Sequence, residues 1–287
     1  MFLITFKTNS SEVDSKIEKL QLNDIFNTYY EAPLNITTDN YGYGYEEKEN
    51  EDLDLHIVFE GEENDLEAFL IKVSDILGDF SFEVKEENYT YEETSFPTVE
   101  INDSWVLVNP NVETENVNRI NFISQGAFGT GLHETTKDIL SLILKKDFSN
   151  QTVMDIGTGS GILAIATALK NAKKVTAIDI RDVENEVLLN ASFNNLDNIE
   201  VKIGNALSNE FSVDSKYDWI YINIGGEETQ MFIDYIDEHL KENGMLLVSG
   251  LVEWSFDFVK EKIEEHGYKI IENLKTNEWC TAIFKRI

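Results

Sequence analysis

Residues Val153 to Asp179 read VMDIGTGSGILAIATALKNAKKVTAID. The stretch opens on a short, mostly apolar run, Val153 to Ile156, of the kind that forms a strand buried on both faces. Gly157, Gly159 and Gly161 follow at alternate positions. Ile162 to Asn171 is then rich in alanine and leucine and free of proline, which predicts a helix. A second apolar run, Val175 to Ile178, ends at Asp179, twenty residues after the middle glycine. Strand, glycine turn, helix, strand and acid, in that order, describe a right-handed βαβ unit with a nucleoside-binding turn. Glycines allow the backbone to bend tightly and a ligand to approach where a Cβ would clash. A carboxylate at the end of the second strand can accept hydrogen bonds from both ribose hydroxyls. An ordinary βα turn, with no ligand, is the competing reading.

Spacing narrows the choice of nucleoside. Dinucleotide-binding turns follow G-x-G-x-x-G, with the third glycine inside the helix. Here the order is G-x-G-x-G after Asp155, which resembles the D/E-x-G-x-G-x-G turn of S-adenosylmethionine-dependent methyltransferases.

Bulk properties bound the remainder. A chain of 287 residues can bury a substantial core and is expected to hold two domains. It has no apolar run of membrane-spanning length, and Met1 leads directly into a strand-like FLITFKT, so a cytoplasmic protein is expected with no membrane partner. The lone Cys280 excludes an intrachain disulfide framework, and the four histidines show no metal-ligand spacing, so no metal is expected. The net charge is -31; residues 1–100 carry 25 acidic and 6 basic side chains, the other 187 carry 29 and 17. Such a surface repels nucleic-acid backbones and steers basic proteins toward itself. Direct nucleic-acid binding is therefore not expected. A solubility bias explains the acidity equally well.

In chain order, residues 2–7 predict a strand and 11–30 a helix, with Val13, Ile17, Leu20, Ile25 and Phe26 at roughly helical spacing. Residues 34–38 predict a weak strand, 40–52 a polar loop, 53–59 a strand, 62–77 a helix and 80–84 a strand. That is the β-α-β-β-α-β order of a ferredoxin-like α+β domain, assigned to residues 1–86. It displays no chemistry and reads as a substrate-docking module. Residues 87–100 read as a linker and 101–287 as the catalytic domain. Strands are expected over 105–108 and 120–124. They precede QGAFGTGLHETT, Gln125 to Thr136, where three glycines lead to a helix opening at His133 and running to about Lys146. Thr135 and Thr136 stand in the first turn of that helix, where free N–H groups favour polar and anionic ligands, although plain capping also suits them. His133 reads either as a cap or as a part of the chemistry.

Two motifs together make a resemblance specific. A-F-G-T-G-x-H-x-T-T, followed by D-x-G-x-G-S-G-I-L-A-I-A, resembles the PrmA family, bacterial methyltransferases of large-subunit ribosomal protein eleven, and residues 120 to 287 follow its catalytic domain throughout. The resemblance implies a class I methyltransferase fold: Rossmann-like α/β, with a mostly parallel seven-stranded sheet and an antiparallel C-terminal hairpin. It also implies S-adenosylmethionine as methyl donor, with the Phe128–Thr136 loop closing over it, and a basic ribosomal protein as partner, presented by the N-terminal module.

The remaining candidates lie at strand ends. Where the family has Asp-Pro two residues after the first acid, this chain has Arg181 and Asp182, so Asp179 takes the ribose role. Residues 182–195 predict a helix with Val183, Val187 and Leu188 inward, and Asn190 and Asn194 fall where the family has asparagines. Asn205, after the strand 199–203, is a candidate for reading the adenine edge. Tyr217 to Ile222 predicts the fourth strand, ending in Asn223. Many amino-directed methyltransferases use such an asparagine, with the following carbonyl, to hold an N–H donor so that its lone pair faces the methyl group. The family continues Asn-Ile with Leu-Ala; this chain continues with Gly225, Gly226, Glu227 and Glu228. The two glutamates read as a solvated helix start or as an attraction for a substrate ammonium. A helix over 230–241, a strand over 245–249, a helix over 253–266 and strands over 268–274 and 279–285 complete the expectation.

The site expected from sequence thus has Asn223 and His133 in catalytic roles. Phe128, Thr135, Thr136, Gly157, Gly159, Asp179, Asn205 and Asn223 hold the donor. The activity implied is methylation of a protein amine, a lysine side chain or an N-terminal amine. A related enzyme acting on another protein or a small amine, and a non-catalytic scaffold with the same fold, are the rival readings. A nicotinamide oxidoreductase is disfavoured by the glycine spacing and the C-terminal strand pair.

Overall fold

The computed structural model describes residues 1–86, 97–208, 210–213 and 215–287. These fall into two compact units, one from residues 1–38 and 43–86, the other from 39–42 and 97–287.

The first unit begins with β1 (Phe2–Asn9) and α1 (Ser10–Gln21), followed by β2 (Thr28–Tyr30), β3 (Leu34–Thr38), β4 (Tyr43–Glu47) and β5 (Asp52–Phe59). Then come α2 (Glu63–Leu77) and β6 (Phe82–Glu86). Its sheet has the order β2-β5-β1-β6 with every neighbouring pair antiparallel. Phe2, Ile4 and Phe6 of β1 alternate inward with Leu53, Leu55 and Ile57 of β5, and α1 and α2 cover that face with Val13, Leu20 and Val73.

The helix expected over 11–30 stops at Gln21. Asp24 takes a left-handed φ of 62°, and Ile25 N–H returns to the Leu20 carbonyl at 3.0 Å, which closes the helix end. Thr28–Tyr30 is thereby free to pair with β5 and occupies the place predicted for 34–38. The strand expected over 34–38 is present as β3, but it pairs in a separate hairpin with β4, which lies inside what reads from sequence as a polar loop. Of the linker expected over 87–100, residues 87–96 lie outside the described residues. Val99 already belongs to a strand.

The second unit opens with β7 (Val99–Asn102), β8 (Trp105–Val108) and β9 (Asn118–Asn121), which form a three-stranded sheet. The last of these begins earlier than the 120–124 expected. After α3 (Glu134–Leu144) the chain alternates through β10 (Thr152–Ile156), α4 (Ile162–Leu169), β11 (Lys174–Asp179), α5 (Glu184–Phe193) and β12 (Ile199–Ile203). It continues with β13 (Tyr217–Asn223), α6 (Gly226–Met231), α7 (Ile233–His239), β14 (Leu240–Val252), α8 (Glu253–Glu265), β15 (Tyr268–Thr276) and β16 (Trp279–Arg286). The seven-stranded sheet runs β12-β11-β10-β13-β14-β16-β15. Its first five strands are parallel; β16 and β15 are antiparallel, as expected for the C-terminal hairpin.

Apolar side chains leave this sheet on both faces, so its strands read as unbroken hydrophobic runs. One core gathers Val153, Val175 and Tyr221 with α3 and α4; the other gathers Met154, Ile220 and Ile222 with α8. Strand order reverses between β10 and β13, and the carboxyl ends of the parallel strands part there to leave a crevice.

Two expectations need correction. In α5, Leu188 is exposed and Asn190 is fully buried, for a reason given below. The helix expected over 230–241 is two short helices, and Leu240 already starts β14, because Tyr217 and Leu240 pair across a bulge. Among the described residues no helix is long and apolar enough to cross a membrane.

Candidate active site

A cavity of about 540 Å³ lies at the carboxyl ends of β10, β11, β12 and β13. Its walls are largely aliphatic, with Ile156, Ile178, Ile180, Leu207 and Ile224 among them. Gly157 and Gly159 form one side of it. The Gly157 and Thr158 N–H groups both donate to the Ile178 carbonyl at 2.9 Å, binding the turn to the neighbouring strand. Gly159 has φ 55°, and a Cβ built there would overlap the Phe128 carbonyl oxygen. Only glycine satisfies both conditions.

Asp179 ends β11 and lines the cavity. One of its oxygens accepts from the Gly159 N–H at 2.8 Å and the other from the Arg181 N–H at 3.0 Å. The Arg181 Nε stands 3.6 Å from that second oxygen. Each carboxylate oxygen has a further lone pair, so two hydroxyl donors can still be accommodated. Asp155, directly before the turn, is buried and accepts from the Thr158 hydroxyl at 2.6 Å. Burial, with the Asp179 charge adding to it against the Thr158 hydrogen bond, pushes its carboxyl up to about 7.

The loop preceding α3 is fastened to the glycine turn: the Ser160 N–H donates to the Phe128 carbonyl at 2.9 Å, and the Ser160 hydroxyl to the Gly129 carbonyl at 2.9 Å. Phe128 itself lines the cavity. The other side of the loop is held by α5. Asn194 exchanges a pair of hydrogen bonds with the backbone of Asn121, at 2.9 and 2.7 Å, and Asn190 does the same with Ile123, at 2.8 and 3.0 Å. The Glu186 carboxylate accepts the Gln125 and Ala127 N–H groups at 3.0 and 3.3 Å. Asn190 is buried, and Leu188 left outside, because α5 turns its amides to the loop backbone.

The residues singled out from sequence therefore divide. Phe128, Gly157, Gly159, Asp179, Asn205 and Asn223 share the cavity; His133, Thr135 and Thr136 do not line it. His133 caps α3, its Nδ1 accepting the Thr135 N–H at 3.3 Å and lying 2.9 Å from the Thr135 hydroxyl. Its ring meets Trp279 edge-on at 4.8 Å. Capping and packing account for every contact it makes here. Thr136 is buried, and its hydroxyl has no hydrogen-bond partner. Asn205 reaches the cavity, but its side-chain oxygen accepts the Leu207 N–H at 2.9 Å and shapes the turn after β12. Asn223 lines the cavity at the end of β13. Cys280 is buried, and burial raises its thiol pKa, which leaves it inert.

Sequence reasoning missed the roles of Glu186, Asn190 and Asn194. Their signal was available: three polar residues at i, i+4 and i+8 on a helix flanked by apolar segments. It also did not separate Glu227 from Glu228, of which the second lines the cavity.

Comparison with known proteins agrees with this geometry. The family model described as "Ribosomal protein L11 methyltransferase (PrmA)" matches residues 4–287. A protein of Clostridium perfringens with the name ribosomal protein L11 methyltransferase is 38% identical over 160 residues, 55% of this chain and 50% of that one. One of Thermotoga petrophila with the same name is 36% identical over 187 residues, 63% of this chain and 68% of that one. The match with the Clostridium relative spans about half of that protein's length. The crystal structure of a ribosomal protein L11 methylase from Lactobacillus delbrueckii subsp. bulgaricus superposes with a TM-score of 0.59 at 28% identity, covering 66% of this chain and 98% of that one. The sheet order, the acid-terminated second strand and a family match over nearly all of its length agree: this chain belongs to the PrmA family of ribosomal protein L11 methyltransferases.

Proposed function

We propose that this protein is an S-adenosylmethionine-dependent N-methyltransferase that modifies amino groups, lysine side chains or the N-terminal amine, of ribosomal protein L11. The observation that carries the proposal is the convergence of Gly157, Gly159, Asp179 and Asn223 on one cavity. The residues present suit such a donor. Asp179 has acceptor capacity left for ribose hydroxyls, and the bare turn at Gly159 leaves room for close approach. Residues 101–287 would form the class I methyltransferase domain, and the ferredoxin-like residues 1–86 would dock the substrate, joined through 87–100. The protein would act in the cytoplasm and bind neither nucleic acid nor membrane.

S-adenosylmethionine, when bound, supplies an electrophilic methyl group on a sulfonium. The chain's part is positioning and exclusion of water. Asp179 holds the ribose, and Phe128 covers the site from its tethered loop. The Asn223 side-chain oxygen accepts an N–H of the incoming amine and turns its lone pair toward the methyl. The aliphatic walls disfavour an ammonium and so promote the neutral amine that reacts.

The test is incubation of the purified protein with S-adenosylmethionine and unmethylated L11, read by intact mass. Stepwise gains of methyl mass on L11 are expected from the wild type and not from Asp179→Ala, whose donor affinity by calorimetry should fall at least tenfold with the fold retained. Unchanged donor affinity in Asp179→Ala would remove the ribose assignment. Gly225 and Gly226 in place of the family's Leu-Ala favour one second reading, an enzyme of this build with a different amine acceptor. Donor binding without L11 methylation would select it.

A further inference from the structure

Three charged side chains line the cavity: Asp179, Arg181 and Glu228. The first two stand against each other, and the Asp179 carboxylate is satisfied by backbone N–H groups besides. Glu228 differs. It forms no ion pair among the described residues, and its carboxylate folds back over Gly225, so close that a Cβ there would overlap Oε2. Gly225 itself is extended, with φ -138° and ψ 173°. Its backbone would accept any residue, and a Cβ there would simply push the flexible Glu228 carboxylate to another position. Gly225 stands two residues after Asn223, the group placed to orient the amine. Of the two carboxylates lining the cavity, Asp179 is matched by Arg181, which leaves Glu228, beside that asparagine, as the one free to receive a cation.

We propose that Glu228 is a specificity-determining residue that receives the ammonium of the acceptor, a lysine side chain or an N-terminal amine, as it enters the cavity. This rests on the methyl-transfer reading above and adds to it the recognition of charge. Glu227 and Glu228 are both exposed, and of the two only Glu228 lines the cavity, which places it at the solvent side of the entrance. The interaction is electrostatic. Glu228 selects amines over neutral nucleophiles and sets how strongly the acceptor binds; the ammonium then gives its proton to solvent at the entrance, and Asn223 orients the neutral amine that passes on to the aliphatic part of the cavity.

The experiment compares the full-length wild type with Glu228→Gln and Gly225→Ala, using unmethylated L11 as acceptor and calorimetry for S-adenosylmethionine. Glu228→Gln keeps the shape and removes the charge. It should raise KM for L11 about tenfold, the worth of one charge-assisted hydrogen bond, with kcat within about threefold and donor Kd unchanged. The rise of KM with added salt should be shallower than in the wild type. Gly225→Ala, which displaces the carboxylate without removing it, should shift KM the same way, and Glu228→Asp should restore part of the loss. An unaltered KM in Glu228→Gln, with wild-type turnover established, overturns the proposal alone. A loss confined to the donor Kd also overturns it, by placing the carboxylate on the donor. A wild type that transfers no methyl group overturns the underlying reading as well.

Discussion

Replacing Gly159 by alanine strikes the one position where the turn, the acid and the loop meet. Its φ of 55° and the Phe128 carbonyl oxygen lying where a Cβ would go are separate obstacles. The left-handed conformation costs a non-glycine residue about 1–2 kcal/mol. Overpacking against a backbone atom that is itself held by the Ser160 N–H adds about 1–3 kcal/mol. A total of about 3 kcal/mol exceeds the worth of either hydrogen bond that holds the turn, about 1 kcal/mol for Ser160 to Phe128 and about 2 for Gly159 to Asp179. The turn therefore relaxes, and the donor must restore it on binding. At 1.4 kcal/mol per tenfold, the Kd for S-adenosylmethionine rises by about 100-fold. Gly126→Ala is the control, for its φ of 105° is also unfavourable but a Cβ there meets nothing within 4 Å. Isothermal titration of both variants, with thermal melts to confirm folding, decides the matter. A Gly159→Ala protein that binds the donor within threefold of the wild type would refute the claim that loop and turn are one rigid cradle.

Two further outcomes are expected. Asn223→Ala should lower kcat for amine methylation by at least 100-fold while leaving donor Kd within about threefold, because it removes the group that orients the amine and none that holds the ribose; steady-state kinetics with calorimetry check this. Asp155→Asn should change the pH dependence of stability. The carboxyl titrates at about 7 when folded and near 3.8 when free in water, so between those values the folded state holds the extra proton and stability falls as pH rises, levelling above 7. A rise of that size corresponds to about 4 kcal/mol. The variant should lack this decline in chemical denaturation between pH 4 and 8, and a slope identical to the wild type would refute it.

The parallel sheet was legible because its strands, buried on both faces, need nothing but apolar runs, and because little besides a βαβ crossover puts a glycine turn between two such runs. Asp179 and Asn223 were legible for the same reason: a polar residue closing an apolar run marks a strand's carboxyl end. The first unit was harder. Thr28–Tyr30 is three residues long and owes its strand to pairing with β5, a contact over a distance that no local pattern announces. In α5 the expected inward Leu188 gave way to Asn190, because two backbone hydrogen bonds offset the burial of an amide and periodicity counts only apolar residues. His133 and Thr135 look alike as caps and as site groups, since both roles use polar atoms at a helix start. The separation of Glu228 from Glu227 depends on how α6 turns relative to the cavity, which no local pattern announces.

The clamp between α5 and the segment from Asn121 to Ala127 works as a vernier. Four residues along a helix rise about 6 Å, and two residues along an extended chain about 6.6 Å. Asn194, Asn190 and Glu186 step down the helix by fours as their partners Asn121, Ile123 and Gln125 step up the segment by twos. The two scales nearly coincide but drift apart by about half an ångström per step. A carboxylate, with two acceptors to share and no need to donate, suits the end of the scale, where Glu186 spans the Gln125 and Ala127 amides at 3.0 and 3.3 Å. All three rungs read main-chain atoms alone. The clamp therefore asks nothing of the segment's own side chains, and those that are fixed, such as the core residue Phe122 and the Asn121 amide that donates to the Phe193 carbonyl, are fixed by other contacts.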